Sequence, residues 1–319
     1  MGKAYNGDRK EREEEMPKIA VCDDDKESVI RLKEMILSAG ISKEIDCYES
    51  GEKLVESDQN YDILFLDIDM DGMNGIETAK ILREKGTMNG MITTNENYNL
   101  EEILPKLKAY TVGDVVSKVT CSEKYVLEGT GKKVALLDLG AKNNIAQSLN
   151  NRGCEVTIYP AHATAEEILS TNPDGIMLSN GPGDPETCVS IIEEIRKLSE
   201  TDIPIFAICL GHQLMALAYG AKTYKLKYGH RGGNHPVKDL STGRVYISSQ
   251  NHGYAVDYNT MDKNVAEEAF INVNDGTNEG LNYIGKKIYT VQFHPEACPG
   301  PQDSTFLFDR FIEMMKGDK

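Results

Sequence analysis

Apolar and polar residues fall along this chain in blocks, and each kind of block predicts an element. KIAVCD at 18–23 is a short apolar run ending in acids, which predicts a buried strand. ESVIRLKEMILSAG at 27–40 has apolar residues at helical spacing and closes on glycine, the pattern of a helix and its stop. YDILFLD at 61–67 predicts a further buried strand, and GIETAKILREKG at 75–86 a second helix ending on glycine. The same alternation returns from residue 132. KKVALLDLG (132–140), CEVTIYP (154–160), GIMLSNGPGDP (175–185) and PIFAI (204–208) read as strands. NNIAQSLNNRG (143–153), AEEILSTN (165–172), CVSIIEEIRKLSE (188–200) and LGHQLMALAYG (210–220) read as the helices between them. Strands alternating with helices imply a parallel sheet, with ligands expected at the C-terminal strand ends. From about 222 to 292 the pattern becomes richer in strands and turns.

These blocks divide the chain into four parts. Residues 1–16 predict a charged, disordered tail with no apolar core of a secretory leader. Residues 17–86 form the first αβ stretch, and 87–130 a linker with some structure, amphipathic around 99–110 but carrying Pro105. Residues 131–319 form a doubly wound α/β domain.

Composition narrows the function classes. With 319 residues the chain is long enough for two ordinary cores. Its net charge is −16 with no long basic run, which argues against nucleic acid and against anionic membrane surfaces. No apolar run is long enough to span a bilayer. Seven cysteines, an odd number with no C-x-x-C pair, predict free thiols in a reducing cytoplasm.

One of those cysteines sits in a chemically loaded position. Cys209 follows the apolar run PIFAI directly and opens a helix, with Ala207 and Gly211 at −2 and +2. A nucleophile elbow needs small residues there, because the strand-to-helix turn is tight. The helix N-terminus favours the thiolate, the nucleophilic form. Such a nucleophile needs a base and an orienter. QFHPEA at 292–297 supplies His294, with Glu296 two residues on and so on the same side of an extended chain. His212, His230, His235 and His252 attract a metal reading, but no carboxylate or cysteine joins them at a metal spacing in sequence, so no metal is expected.

The motifs AICLGHQ (207–213) and QFHPEA together resemble the class I, triad-type glutamine amidotransferases. LDLGAKNNI (137–145), SNGPGDP (179–185), KYGHRGGNHPV (227–237), SQNHGYAVD (249–257) and ACPGPQDSTFLFDRF (297–311) are similar to the small, glutamine-hydrolysing subunit of carbamoyl-phosphate synthase. Residues 87–130 resemble the end of that subunit's N-terminal domain. The resemblance implies a Cys209–His294–Glu296 triad that hydrolyses L-glutamine through a glutamyl thioester. It implies an oxyanion site at the backbone of Gly183 and Leu210, and glutamine contacts at Gly181, Gly183, Leu210, Gln213, Asn251, Gly253 and Tyr254. It also implies a large-subunit partner that carries the ATP and Mg²⁺ chemistry, for arginine or pyrimidine synthesis. No cofactor is expected in this domain, and no Walker-type G-x-x-x-x-G-K-[ST] occurs in the chain. An amidotransferase serving another synthase, such as anthranilate or GMP synthesis, is the alternative within the class.

The first stretch has its own chemistry. Asp23 and Asp24 end one predicted strand and Asp67 ends another. Acids gathered at strand ends can hold Mg²⁺, and a carboxylate beside it can accept a phosphoryl group; plain solvated carboxylates are the other reading. VCDDD (21–25) and LFLDIDMDGMNGIE (64–77) resemble the receiver domain of response regulators, a flavodoxin-like fold, with Asp67 as phospho-acceptor beside Asp23 and Asp24. The resemblance ends near residue 86. Thr94 and Lys118 stand at roughly suitable distances for a receiver's remaining polar residues, but in contexts that match the synthase linker. The expected chain is therefore a hybrid, in which a partial receiver replaces most of the small subunit's N-terminal domain. That missing domain would supply a serine contact to glutamine and part of the large-subunit interface. Mg²⁺ is expected only if the receiver segment works, and phosphorylation of Asp67 gating the amidotransferase is a further alternative.

Overall fold

The computed structural model describes residues 18–85 apart from 58, 60 and 62, then 102, 103, 105 and 106, then 113–316 apart from 298 and 299. The tail 1–16, Thr94 and most of the stretch 87–112 lie outside the described residues. The chain divides into two compact units, 1–111 and 112–319.

Among the described residues, the first unit holds three parallel strands, β1 (Ile19–Cys22), β2 (Ile45–Tyr48) and β3 (Ile63–Leu66), in the order β2-β1-β3. β1 is central and wholly buried. The helix Lys26–Ser38 starts where Asp25 accepts from the Glu27 and Ser28 backbone N–H groups, two donors that a helix start otherwise leaves unpaired. Ile19, Val21, Ile36, Ile45 and Ile63 pack one face of the sheet; Ala20, Cys22, Leu54 and Met70 pack the other. β2 and the short helix Gly51–Glu56 have no counterpart among the sequence-predicted elements. IDCY is only four residues long and half exposed, so its apolar signal is thin.

Among the described residues, the second unit holds ten strands: β4 (Tyr125–Leu127), β5 (Lys133–Asp138), β6 (Glu155–Pro160), β7 (Gly175–Leu178), β8 (Ile205–Ile208), β9 (Lys222–Asp239), β10 (Val245–Asp257), β11 (Ala266–Asn272), β12 (Asn278–Tyr283) and β13 (Ile288–Val291). Their order is β10-β9-β11-β12-β13-β8-β7-β5-β6-β4. The stretch from β13 to β6 is parallel, as strand–helix alternation predicts, and the rest is antiparallel. Helices Val189–Ser199 and Leu210–Ala218 cover one face through Ile191, Ile195, Leu198, Leu214 and Met215. Helices Asn143–Asn150 and Phe306–Met314 cover the other through Ile145, Leu149, Phe308 and Phe311. With both faces covered, β7 and β8 are apolar at every position.

This unit begins earlier than the boundary at 131 that the sequence predicts. Tyr125–Leu127 adds an antiparallel edge to β6, and Val116 is buried in the unit's core. Three residues are too few to declare a strand by alternation. Lys118, in the helix Val116–Val119, belongs to this second unit, whereas Asp67 belongs to the first.

Candidate active site

Three neighbouring strands deliver the chemistry to one place. β7, β8 and β13 are adjacent and parallel, so their C-terminal ends share one edge of the sheet. β7 runs out into the loop holding Gly181 and Gly183, β8 ends at Cys209, and β13 leads to His294.

Cys209 has φ +54° and ψ −104°, a left-handed conformation rare for a residue with a side chain. Its N–H donates to the Val291 carbonyl (2.8 Å), tying the turn to β13. The expected need for small neighbours is met: a Cβ on Gly211 would lie 2.7 Å from the Leu178 carbonyl oxygen. Leu210 is the first residue of the following helix, where an amide has no helical acceptor one turn back. Strain of this kind costs about 1–3 kcal/mol and persists at sites that use it.

His294 and Glu296 stand together, both nearly fully buried, with His294 Nδ1 at 2.7 Å from Glu296 Oε1. Burial alone would push the imidazole down. The charge of Cys209 and its hydrogen bond, with those of Glu296, outweigh burial and raise His294 to about 9. Burial pushes the Glu296 carboxyl up, but His294 and then Lys142 hold it below the usual carboxylate range. Lys142 Nζ lies 3.6 Å from Glu296 Oε1, and Asn144 donates to the Glu296 backbone carbonyl (3.3 Å). Neither residue is singled out by the sequence, although both lie in LDLGAKNNI.

The loop after β7 is clamped by its own polar residues. Ser179 Oγ accepts from the Leu139 N–H (2.9 Å), and Asn180 Oδ1 accepts from the Lys142 N–H (2.9 Å). Gly183 takes φ +102°, which glycine alone adopts without strain. The Tyr254 hydroxyl bonds Asp184 in this loop; burial and that carboxylate push Tyr254 up to about 12. Tyr254 lies on β10 beside Gly253, where the register with β9 shifts between His252 and Tyr254. Asn251 is exposed on the same strand. Gln213 is buried, its Nε2 donating to the Tyr254 carbonyl (2.8 Å) and to Gln292 Oε1 (2.9 Å). The residues expected to contact glutamine thus lie on the loop after β7, the helix after Cys209 and β10.

The histidines resolve differently. His212 is fully buried, pulled down to about 3 by burial, and bonds Thr290 Oγ1 (2.8 Å). His230 and His252 face one another with Glu279, their side-chain donor atoms all within 4.8 Å. Sequence spacing hides this carboxylate, because Glu279 reaches the histidines only through the order of β9, β10 and β12. Burial pulls His252 down to about 3, whereas Glu279 and Asp275 outweigh burial to raise His230. In the first unit, Asp23, Asp24 and Asp67 also group within 4.8 Å. Burial, then the neighbouring acids, raises Asp23 against the hydrogen bond from the Asp25 N–H.

The chain matches known proteins along both of its parts. The family model for class-I glutamine amidotransferases matches residues 135–314. A carbamoyl phosphate synthase small chain of Clostridium perfringens is 51% identical over 245 residues, covering 76% of this chain and 69% of that one. A carbamoyl phosphate synthase pyrimidine-specific small chain of Halalkalibacterium halodurans is 47% identical over 270 residues, covering 82% and 73%. A solved structure of a Thermoplasma acidophilum protein assigned to GMP synthase shares the fold at 22% identity, with a TM-score of 0.52 over 59% of this chain and 96% of its own. The model of the response regulator receiver domain matches residues 19–124, well past residue 86. In class, then, the chain is a glutamine amidotransferase of the class-I fold, preceded by a receiver-like segment. More narrowly, it belongs to the family of carbamoyl phosphate synthase small chains. Among the described residues, no helix is long and apolar enough to cross a membrane.

Proposed function

We propose that the chain hydrolyses L-glutamine and passes the ammonia to a carbamoyl-phosphate synthase large subunit. One observation carries the reading: a strained cysteine at the end of β8, beside a buried His294–Glu296 pair at the end of β13. The Cys209 thiolate attacks the carboxamide carbon, and the C=O electron pair moves onto oxygen. The backbone N–H groups of Leu210 and Gly183 hold that oxyanion; losing such a donor costs about 2.7–4 kcal/mol. His294, protonated, gives its proton to the departing nitrogen, and ammonia leaves as the C–N bond breaks. A glutamyl thioester remains. His294, now neutral, takes a proton from water, the hydroxide adds to the thioester carbon, and Cys209 leaves as thiolate with glutamate released. Glu296 fixes the imidazole with Nδ1 toward itself, leaving Nε2 for the thiol and the substrate. Gly181, Gly183, Leu210, Gln213, Asn251, Gly253 and Tyr254 form the glutamine wall. No cofactor takes part in this unit, and ATP and Mg²⁺ belong to the partner's chemistry. Glutamate release is to be measured for the wild type and for Cys209→Ser, each with and without the large subunit. We expect weak wild-type activity alone, stimulation on adding the partner, and none in the variant. Equal rates for both chains would end the Cys209 assignment.

A second reading concerns the first unit. Asp23, Asp24 and Asp67 converge at the ends of β1 and β3, and the receiver model covers them. In this reading Asp23, Asp24 and Asp67 would hold Mg²⁺, which would offset the negative charge there, while an Asp67 carboxylate oxygen takes the phosphoryl group of an acyl phosphate, the carboxylate of the donor leaving, and the modified residue gates the amidotransferase. Incubation with acetyl phosphate and Mg²⁺ tests it by intact mass; an unmodified Asp67 would sink it.

A further inference from the structure

A group of buried polar side chains around His252, on the strand that carries Asn251, Gly253 and Tyr254, leaves polar atoms without hydrogen-bond partners. Ser248 Oγ donates to the His235 carbonyl (2.9 Å), so its proton is committed. It therefore accepts from Gln250 Nε2 (3.2 Å), which turns Gln250 Oε1 toward His252 Nε2 (3.1 Å). His252 Nδ1 meets the Tyr254 carbonyl (2.8 Å) and must donate to it. A neutral imidazole has one N–H. His252 Nε2 is then a bare lone pair facing a carbonyl oxygen. Beside it, Glu279 Oε2 is buried without a hydrogen-bond partner, while His230 Nδ1, also buried, faces Glu279 Oε1 at 3.3 Å, the oxygen to which Asn272 Nδ2 donates (3.2 Å). Glu279 is fully shielded from solvent.

We propose that His230, His252 and Glu279 are the ligands of a divalent transition-metal site of the zinc type. Three imidazole and carboxylate ligands are the donor set such an ion takes. Bonds of about 2.0–2.2 Å in a tetrahedron place neighbouring ligand atoms roughly 3.3–3.5 Å apart. His230 Nδ1 lies 3.3 Å from Glu279 Oε1, and all three donors fall within 4.8 Å. The outer partners also fit. A metal-bound histidine gives its other N–H to a carboxylate or a backbone carbonyl; here His230 Nε2 meets Asp275 Oδ2 at 2.8 Å, and His252 Nδ1 the Tyr254 carbonyl. Gln250 Oε1 or a water supplies the fourth position. The ligands come from β9, β10 and β12, and His252 lies between Asn251 and Gly253. The ion would pin the strand that carries the glutamine wall. It takes no part in the cysteine chemistry.

The full chain, carrying Cys209→Ser so that the nucleophile cannot ligate, is titrated with Zn²⁺ against a chromophoric chelator and, separately, with Co²⁺. We expect one tight site per chain, visible bands of tetrahedral Co²⁺, and a higher melting midpoint with zinc. Adding Glu279→Gln should weaken zinc at least about 100-fold, and Asp275→Asn, an outer partner on the surface, about 10- to 100-fold. Melting without metal shows whether each variant folds, and Asp275→Asn decides the matter if Glu279→Gln does not. Absence of the Co²⁺ bands, or zinc binding that neither substitution changes, overturns the site.

Discussion

At the scale of single residues, the charge state of His294 governs the proposed reaction. Its pKa of about 9 rests on burial being outweighed by Cys209 and Glu296. The imidazole must be protonated to release ammonia, so kcat/KM should fall above pH of about 9. Glu296→Gln removes one supporting charge and the fixed ring orientation. We expect its alkaline limb to move down and its kcat to drop by on the order of 10²-fold or more, with KM little changed; a pH–rate profile of both chains checks this. The same shift affects folding. A histidine raised above its ordinary 6.5 adds stability that is fully present below 6.5 and is lost as pH rises through about 9. Melting midpoints should therefore decline across that window, and less so in Cys209→Ser, which lacks the thiolate.

At the scale of elements, the elbow between β8 and the helix Leu210–Ala218 is the critical joint. A Cβ on Gly211 would meet the Leu178 carbonyl oxygen at 2.7 Å and the Leu178 Cβ at 2.8 Å. Both belong to a buried strand that has little room to move. Gly211→Ala should destabilise by about 1–3 kcal/mol and displace Cys209 from His294, lowering kcat by more than the change in folded fraction. Denaturant melts beside glutaminase rates separate the two effects. This joint was legible in the sequence because elbow chemistry is local: Ala207, Cys209 and Gly211 are neighbours in the chain. So were His294 and Glu296, two residues apart on extended backbone. Lys142 against Glu296 and Glu279 against His230 were not legible, since each pair meets only through the strand order. β2 and β4 were missed for another reason: IDCY, half exposed and carrying Asp46, lacks the unbroken apolar run that marks the equally short β1 and β3, and Tyr125–Leu127 is three residues, two of them exposed.

At the scale of the whole molecule, two compact units share one chain. Among the described residues, the first rests on three four-residue strands and two small apolar clusters. The second rests on ten strands with apolar layers on both faces. Buried apolar area sets the main favourable term in folding, and it grows with the size of the core. The two units should therefore unfold in separate calorimetric transitions, the first unit lower. A glutamine-like chloroketone that alkylates Cys209 binds only the folded second unit, so it should raise the upper transition. Mg²⁺ with a phosphoryl mimic at Asp67 should raise the lower one. If either ligand moves both transitions together, the two units are energetically coupled. The receiver segment would then be able to bias the amidotransferase by the differential affinity of its own ligand. If each ligand moves only its own transition, a phosphoryl group on Asp67 has no thermodynamic route to Cys209, and the gating reading fails whether or not Asp67 is modified.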